Sequence, residues 1–143
     1  MAMLRIQLDA KGLERALKAA AANCGNMRQA WEEVGEIVER SVGKNFTAQG
    51  RPKAWKKTNE ATLKRRRKGS KGAKTLTDTR RLRNSITREV SDRDVEVGTN
   101  IIYANTHQHG RGSIPARPFL LIQEEDEPKI ESAIEMHIGR PLV

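Results

Sequence analysis

The chain has 143 residues, with 27 Lys and Arg against 18 Asp and Glu for a formal charge of +9, and only 3% of it is aromatic. That length suits one domain built on a single core. The one cysteine, Cys24, excludes an intrachain disulfide, no apolar run approaches the roughly 20 residues of a membrane span, and the N-terminus lacks a signal-peptide pattern. A soluble protein made in a reducing cytoplasm is expected, with no membrane partner.

At the start, Leu4, Ile6 and Leu8 alternate with Arg5 and Gln7, the period of a half-buried strand over residues 3–8. Asp9 follows as a candidate N-cap. From Leu13 through Ala16, Leu17, Ala20, Cys24, Met27, Trp31, Val34, Val38 and Val42, apolar residues recur every three or four positions, which predicts a long amphipathic helix with Cys24 on its inward stripe. Gly25 weakens that helix by about 1 kcal/mol, so a break near it would divide the helix in two. Glu32, Glu33, Glu36 and Glu39 make an acidic, solvated face.

From Lys44 the apolar pattern stops, and Gly50, Pro52, Gly69 and Gly72 punctuate a run of Lys, Arg, Thr and Ser. Between Arg51 and Arg88 stand fifteen cations against two acids, Glu60 and Asp78, a charge of +13, while the rest of the chain is mildly acidic. Long loops in small domains are functional or disordered. Residues 44–75 are therefore expected to form a basic, mobile arm, anchored at most by Phe46 and Trp55 and dispensable to the fold.

Thr77 or Asp78 can cap a short helix holding Arg80, Leu82, Arg83 and Ile86. Residues 86–90 and 94–99 then form a hairpin through the polar turn Ser91-Asp92-Arg93-Asp94. Tyr103 to Gln108 fits one or two helical turns stopped by Gly110, and two prolines hold Ile114-Pro115-Ala116-Arg117-Pro118 extended. The four acids from Glu124 and then Pro128 suit the start of a helix whose inner face is Ile130, Ala133, Ile134, His137 and Ile138. The fold class is α+β: a long N-terminal helix and a C-terminal helix packed on a small, mainly antiparallel sheet, with a long basic loop.

Catalysis finds little footing. His107 and His109 have no Cys, Asp or Glu near them in sequence to complete a metal site, Cys24 lies on an apolar stripe, and no glycine-rich phosphate loop occurs. No catalytic residue, metal or cofactor is assigned. The cations predict an anionic partner instead, reached through Arg51, Lys53, Trp55, Lys56, Lys57, Lys64, Arg65, Arg66, Arg67, Lys68, Lys71 and Lys74, with Arg117 on the proline loop as a further contact. Two classes of partner remain, nucleic-acid phosphates touched without sequence readout and acidic surfaces of neighbouring proteins. A loop that is merely solvated competes with both. For Arg117, a bond within its own subunit is favoured over an outside contact, and Trp55 more readily packs than binds.

Four blocks, taken in order, resemble the phage virion morphogenesis family, the Mu protein G-like tail completion proteins. They are Phe46-Thr47-Ala48-Gln49-Gly50 with Pro52 and Trp55; Leu76-Thr77-Asp78-Thr79 with Leu82, Ser85 and Ile86; Val97-Gly98-Thr99 with Tyr103-Ala104, His107-Gln108 and Gly110; and Ile114-Pro115-Ala116-Arg117-Pro118-Phe119-Leu120. The sequence departs from the family pattern at Arg80, where glycine is common, and at His109, where an aromatic is expected. The resemblance implies a structural role in tail completion or head-tail joining, in a ring of copies located at the virion tail or neck. Its expected partners are other copies of itself and tail or neck proteins with acidic surfaces, with possible weak DNA contact.

Overall fold

Gly25 and Asn26 end one helix and let the next begin. In the computed structural model, which describes residues 10–66, 74–77 and 79–140, helix α1 spans Ala10–Gly25 and α2 spans Arg28–Ala48. The Asn26 side chain accepts the Arg28 N–H at 3.3 Å, and the Met27 N–H donates to the Asp92 carbonyl at 3.2 Å. An asparagine serves well here because its short amide satisfies backbone groups outside the helix ladder.

Helix α2 is the spine of the fold. It buries Ala30, Val34, Gly35, Ser41, Val42, Asn45 and Phe46, and it ends in a Schellman motif: the Gln49 N–H donates to the Phe46 carbonyl at 3.3 Å and the Gly50 N–H to Asn45 at 2.8 Å. Gln49 takes the left-handed conformation, φ 61°, which ordinarily favours glycine. Its side chain compensates, donating to the Phe46 and Thr75 carbonyls and accepting the Thr75 N–H at 2.6 Å. Next in line, Gly50 sits at φ 110°, and a Cβ there would stand 2.6 Å from both the Lys53 carbonyl and the Trp55 nitrogen. This tight turn folds the chain back onto the end of α2.

The short helix α3, Glu60–Arg65, and α4, Arg81–Asn84, precede strands β1, Thr87–Val90, and β2, Val95–Gly98. The strands pair antiparallel, with Thr87 opposite Gly98, Arg88 opposite Val97, Glu89 opposite Glu96 and Val90 opposite Val95. Alternation turns Arg88, Val90, Val95 and Val97 toward α2. Gly35 makes that approach possible, since a Cβ would meet the Arg88 Cδ at 2.6 Å and the Val95 Cγ2 at 3.0 Å. Helix α5, Ala104–His109, stops at Gly110, and α6, Glu127–Ile138, packs along α2 with Ala133 and His137 buried. His137 Nε2 lies 2.8 Å from the Asn26 carbonyl, tying α6 to the joint between the first two helices.

The α+β class, the hairpin, the helical break and the inner face of α6 follow the sequence expectations. The strand expected over residues 3–8 lies outside the described residues. Three expectations need correcting. Cys24 is exposed, as are Ala16 and Leu17, because the break at Gly25 lets α1 leave the core and lie against α6. The short helix is a single turn whose N-cap, Arg80, has φ 56°. Glycine meets that conformation without strain, so Arg80 stands in a backbone state that a side chain disfavours.

The third correction concerns the arm. Lys44 to Ala48 continue helix α2, and Phe46 and Trp55 are two of the six residues of the buried cluster, with Val42, Leu82, Ala104 and Phe119. The Phe46 ring meets Trp55 edge-on at 5.5 Å and Phe119 at 5.5 Å. Lys44 to Trp55 are thus held to the globule by two aromatic rings, while α3 beyond them buries no residue. Residues 67–73, with Arg67, Lys68 and Lys71, lie outside the described residues.

Candidate functional site

The loop that returns from α2 carries its cations past the proline loop. Asn59 caps α3 by accepting the Ala61 N–H at 2.8 Å, and Lys64 and Arg65 occupy its last turn, where the helix dipole favours positive charge. On the facing side, Gln108 of α5 grips the extended chain after Pro118: its Oε1 accepts the Phe119 and Leu120 N–H groups at 3.0 Å each, and its Nε2 donates to the Leu120 carbonyl at 2.8 Å. The Arg117 N–H donates to the His107 carbonyl at 2.7 Å. These bonds fix Arg117, only 8% exposed, against the basic loop. Its guanidinium donates to the Lys56 carbonyl at 2.8 Å and the Lys57 carbonyl at 3.3 Å.

An open cleft of about 420 Å³ results, lined by Thr58, Thr62, Arg65, Arg66, Leu76, Thr79, Leu82, Tyr103, His107 and Arg117. Among these residues are three guanidinium groups and no carboxylate. Burial pulls the Arg117 pKa below its ordinary value, and the nearby Arg66 charge adds to the effect. His107 is lowered likewise, by burial first and then by Arg117. Its ring stands edge-on to Tyr103 at 5.8 Å, and its Nδ1 is buried with no hydrogen-bond partner. The arrangement is chemically suited to receive an anion whose oxygens take up the guanidinium donors.

The expected contact residues that the structure describes divide into three groups. Lys53, Lys56, Lys57, Lys64 and Arg65 are exposed, and none has an ion-pair partner among the described residues. Arg66, half-buried, reaches the Lys74 carbonyl at 3.4 Å, and exposed Lys74 donates to the Thr47 carbonyl at 3.2 Å. Arg51, Trp55 and Arg117 serve the interior of their own chain. The intrachain bond favoured for Arg117 is what the structure contains. Arg88, at the far end of the basic segment, is enclosed by Glu32, Glu36 and Glu39 of α2, and its hydrogen bond to Glu32 raises its pKa against the opposing effect of burial. Sequence reasoning left Tyr103, Thr58 and Thr62 out of the site, since none carries charge and Tyr103 is some forty residues from the two threonines.

The cleft gives a pH prediction. Because the folded chain holds His107 below its ordinary pKa, the unfolded chain binds the proton more readily. The stability from the neutral imidazole is therefore present above about pH 6.5 and is lost as the pH falls below it. Urea unfolding between about pH 7 and 5 is expected to show stability falling with pH, and His107→Gln to flatten that slope. Equal slopes in the two proteins would refute the assignment.

His109 is exposed and does not share the surroundings of His107. Among the described residues, no group of three His, Cys, Asp or Glu side chains is placed to hold a metal ion, and no helix is long and apolar enough to cross a membrane.

Comparison with known proteins places these features in context. The model of the phage virion morphogenesis family matches residues 8–139. The chain is 38% identical over 130 residues to the Mu-like prophage FluMu G protein 2 of Haemophilus influenzae, a match covering 86% of this chain and 83% of that protein. No solved structure matches.

Proposed function

Given that this chain belongs to the phage virion morphogenesis family and so has a structural part in phage assembly, we propose that it acts in tail completion or head-tail joining, without catalysis, as one subunit of an oligomeric ring. The observation that carries this reading is the separation of charge along α2 and the segments packed on it. Exposed cations collect around the cleft beyond the C-terminal end of α2, while Glu32, Glu33 and Glu36 stand in its N-terminal half, where one cation, Arg88, pairs with Glu32 and Glu36 and leaves Glu33 unmatched by it. A subunit charged oppositely at its two ends suits repeated contacts with copies of itself and with acidic tail or neck proteins. Its place is then the tail or neck of the virion, assembled in the host cytoplasm.

The test is electron microscopy of particles made without this protein. Heads filled with DNA beside tails of wrong length or unfinished ends are expected, and the intact gene supplied separately restores joined particles. Normal, joined particles in its absence would overturn the proposal.

Sequence-nonspecific nucleic-acid binding is the second reading, favoured by the exposed group of Lys53, Lys56, Lys57, Lys64 and Arg65. Phosphate contacts of that kind release counterions, so affinity falls steeply with salt. Micromolar binding to duplex DNA that survives about 150 mM salt would favour it over the assembly reading.

A further inference from the structure

We propose that the basic cleft receives the outer face of the β1–β2 hairpin of a second copy of this chain, with Glu89 and Glu96 as the entering carboxylates. The proposal rests on the reading of the chain as an assembly subunit and names the contact that joins one subunit to the next.

The cleft presents the exposed Arg65 and the half-buried Arg66 with no carboxylate among its described lining, while Arg117 behind them gives its own donors to the Lys56 and Lys57 carbonyls and adds positive charge to the wall. Tyr103, 41% exposed, lies at its edge, preceded by Ile102 at 97%. It therefore offers guanidinium donors beside an apolar and aromatic rim, the composition that recurs at protein interfaces. The partner it fits carries paired carboxylates on a rigid, narrow element.

The hairpin is such an element. Its register sets Glu89 directly opposite Glu96, both side chains are exposed, and neither has an ion-pair partner among the described residues. Like charges facing one another across a strand pair are unfavourable, and this pair has only four residues per strand to offset them. Cations arriving from outside remove that repulsion. Arg88 cannot do so, because it projects from the opposite face into Glu32, Glu36 and Glu39.

The cleft and the hairpin face of one chain do not close on each other. The hairpin lies against Gly35, whereas the cleft is built around Leu82, which packs with Phe46 at the end of α2. Those helix positions are eleven residues apart, about 16 Å along the axis at 1.5 Å per residue. Contact between the two faces therefore joins different patches of two copies, and repeated head to tail it makes a heterologous interface that yields a ring when the rotation closes.

Sedimentation velocity of the full chain at low salt, with thermal unfolding alongside, tests the proposal. Glu89→Gln/Glu96→Gln is expected to raise Tm while weakening self-association about tenfold or more. A role confined to the hairpin's own fold would move Tm alone. Arg65→Glu/Arg66→Glu is expected to weaken self-association as well, and mixing it with Glu89→Lys/Glu96→Lys restores association between the two variants. Unchanged self-association in the glutamine variant, failure of the mixed pair to associate, or a wild-type chain that stays monomeric would each overturn the contact. Particles that join normally without the protein would instead remove the assembly reading, whatever the sedimentation result.

Discussion

Trp55→Ala is expected to destabilise the protein by about 4 kcal/mol, a large share of the roughly 5–15 kcal/mol that holds a small domain folded. The indole is 7% exposed, meets Phe46 edge-on and donates from Nε1 to the Pro118 carbonyl at 2.8 Å. Truncation removes a large apolar surface from a cluster that holds few other rings and leaves a carbonyl unpaired, which together account for the estimate. The same contact holds the proline loop to the basic loop, so the cleft loses shape with the core. Deleting residues 53–74 is expected to unfold the chain for this reason, the opposite of what a dispensable arm implies. Urea denaturation checks the size of the effect. A loss below about 1 kcal/mol, the range of surface substitutions, would mean that Trp55 does not belong to the core.

How far the sequence discloses this arrangement depends on the range of the contacts involved. The hairpin is legible because alternation through Arg88, Val90, Val95 and Val97 and a polar four-residue turn are local signals, and the start of α6 announces itself through its acids and Pro128. The end of α2 is not legible. Its last turns bury Ser41 and Asn45 beside Val42 and Phe46, so polar residues occupy inward positions and the apolar period fades while the helix continues. The cations show a similar limit. Charge density marks the segment as basic, but which cations turn inward is decided by Glu125 for Arg51, Glu32 for Arg88 and the Lys56 carbonyl for Arg117, at separations of 74, 56 and 61 residues. Only the fold brings those partners together.

Arg51→Lys is expected to cost about 2 kcal/mol although it keeps the charge, because the guanidinium is used here as a fork. Arg51 Nε donates to Asn45 Oδ1 at 2.9 Å, Nη2 donates to the Ser41 carbonyl and hydroxyl at 3.0 and 2.9 Å, and Nη1 pairs with Glu125. Behind it, the Ser41 hydroxyl donates to Asp126, whose carboxylate also accepts the Gln123 N–H at 3.2 Å, and Asn45 Nδ2 donates to the Phe119 carbonyl at 2.8 Å. Ser41, Asn45, Gln123 and Asp126 are all buried, so acceptors abandoned by the fork find no water to replace it. An ammonium reaches one of these sites at a time. Glu125, by contrast, is 55% exposed, and Glu125→Gln is expected to cost less than about 1 kcal/mol, as exposed ion pairs do. The comparison separates two ways in which Arg51 can stabilise the protein. If buried hydrogen bonds dominate, lysine is the more damaging change and its effect varies little with salt. Full stability in Arg51→Lys, with a salt-sensitive loss in Glu125→Gln, would show instead that the ion pair holds the loop to α2 and that the polar network needs no fork.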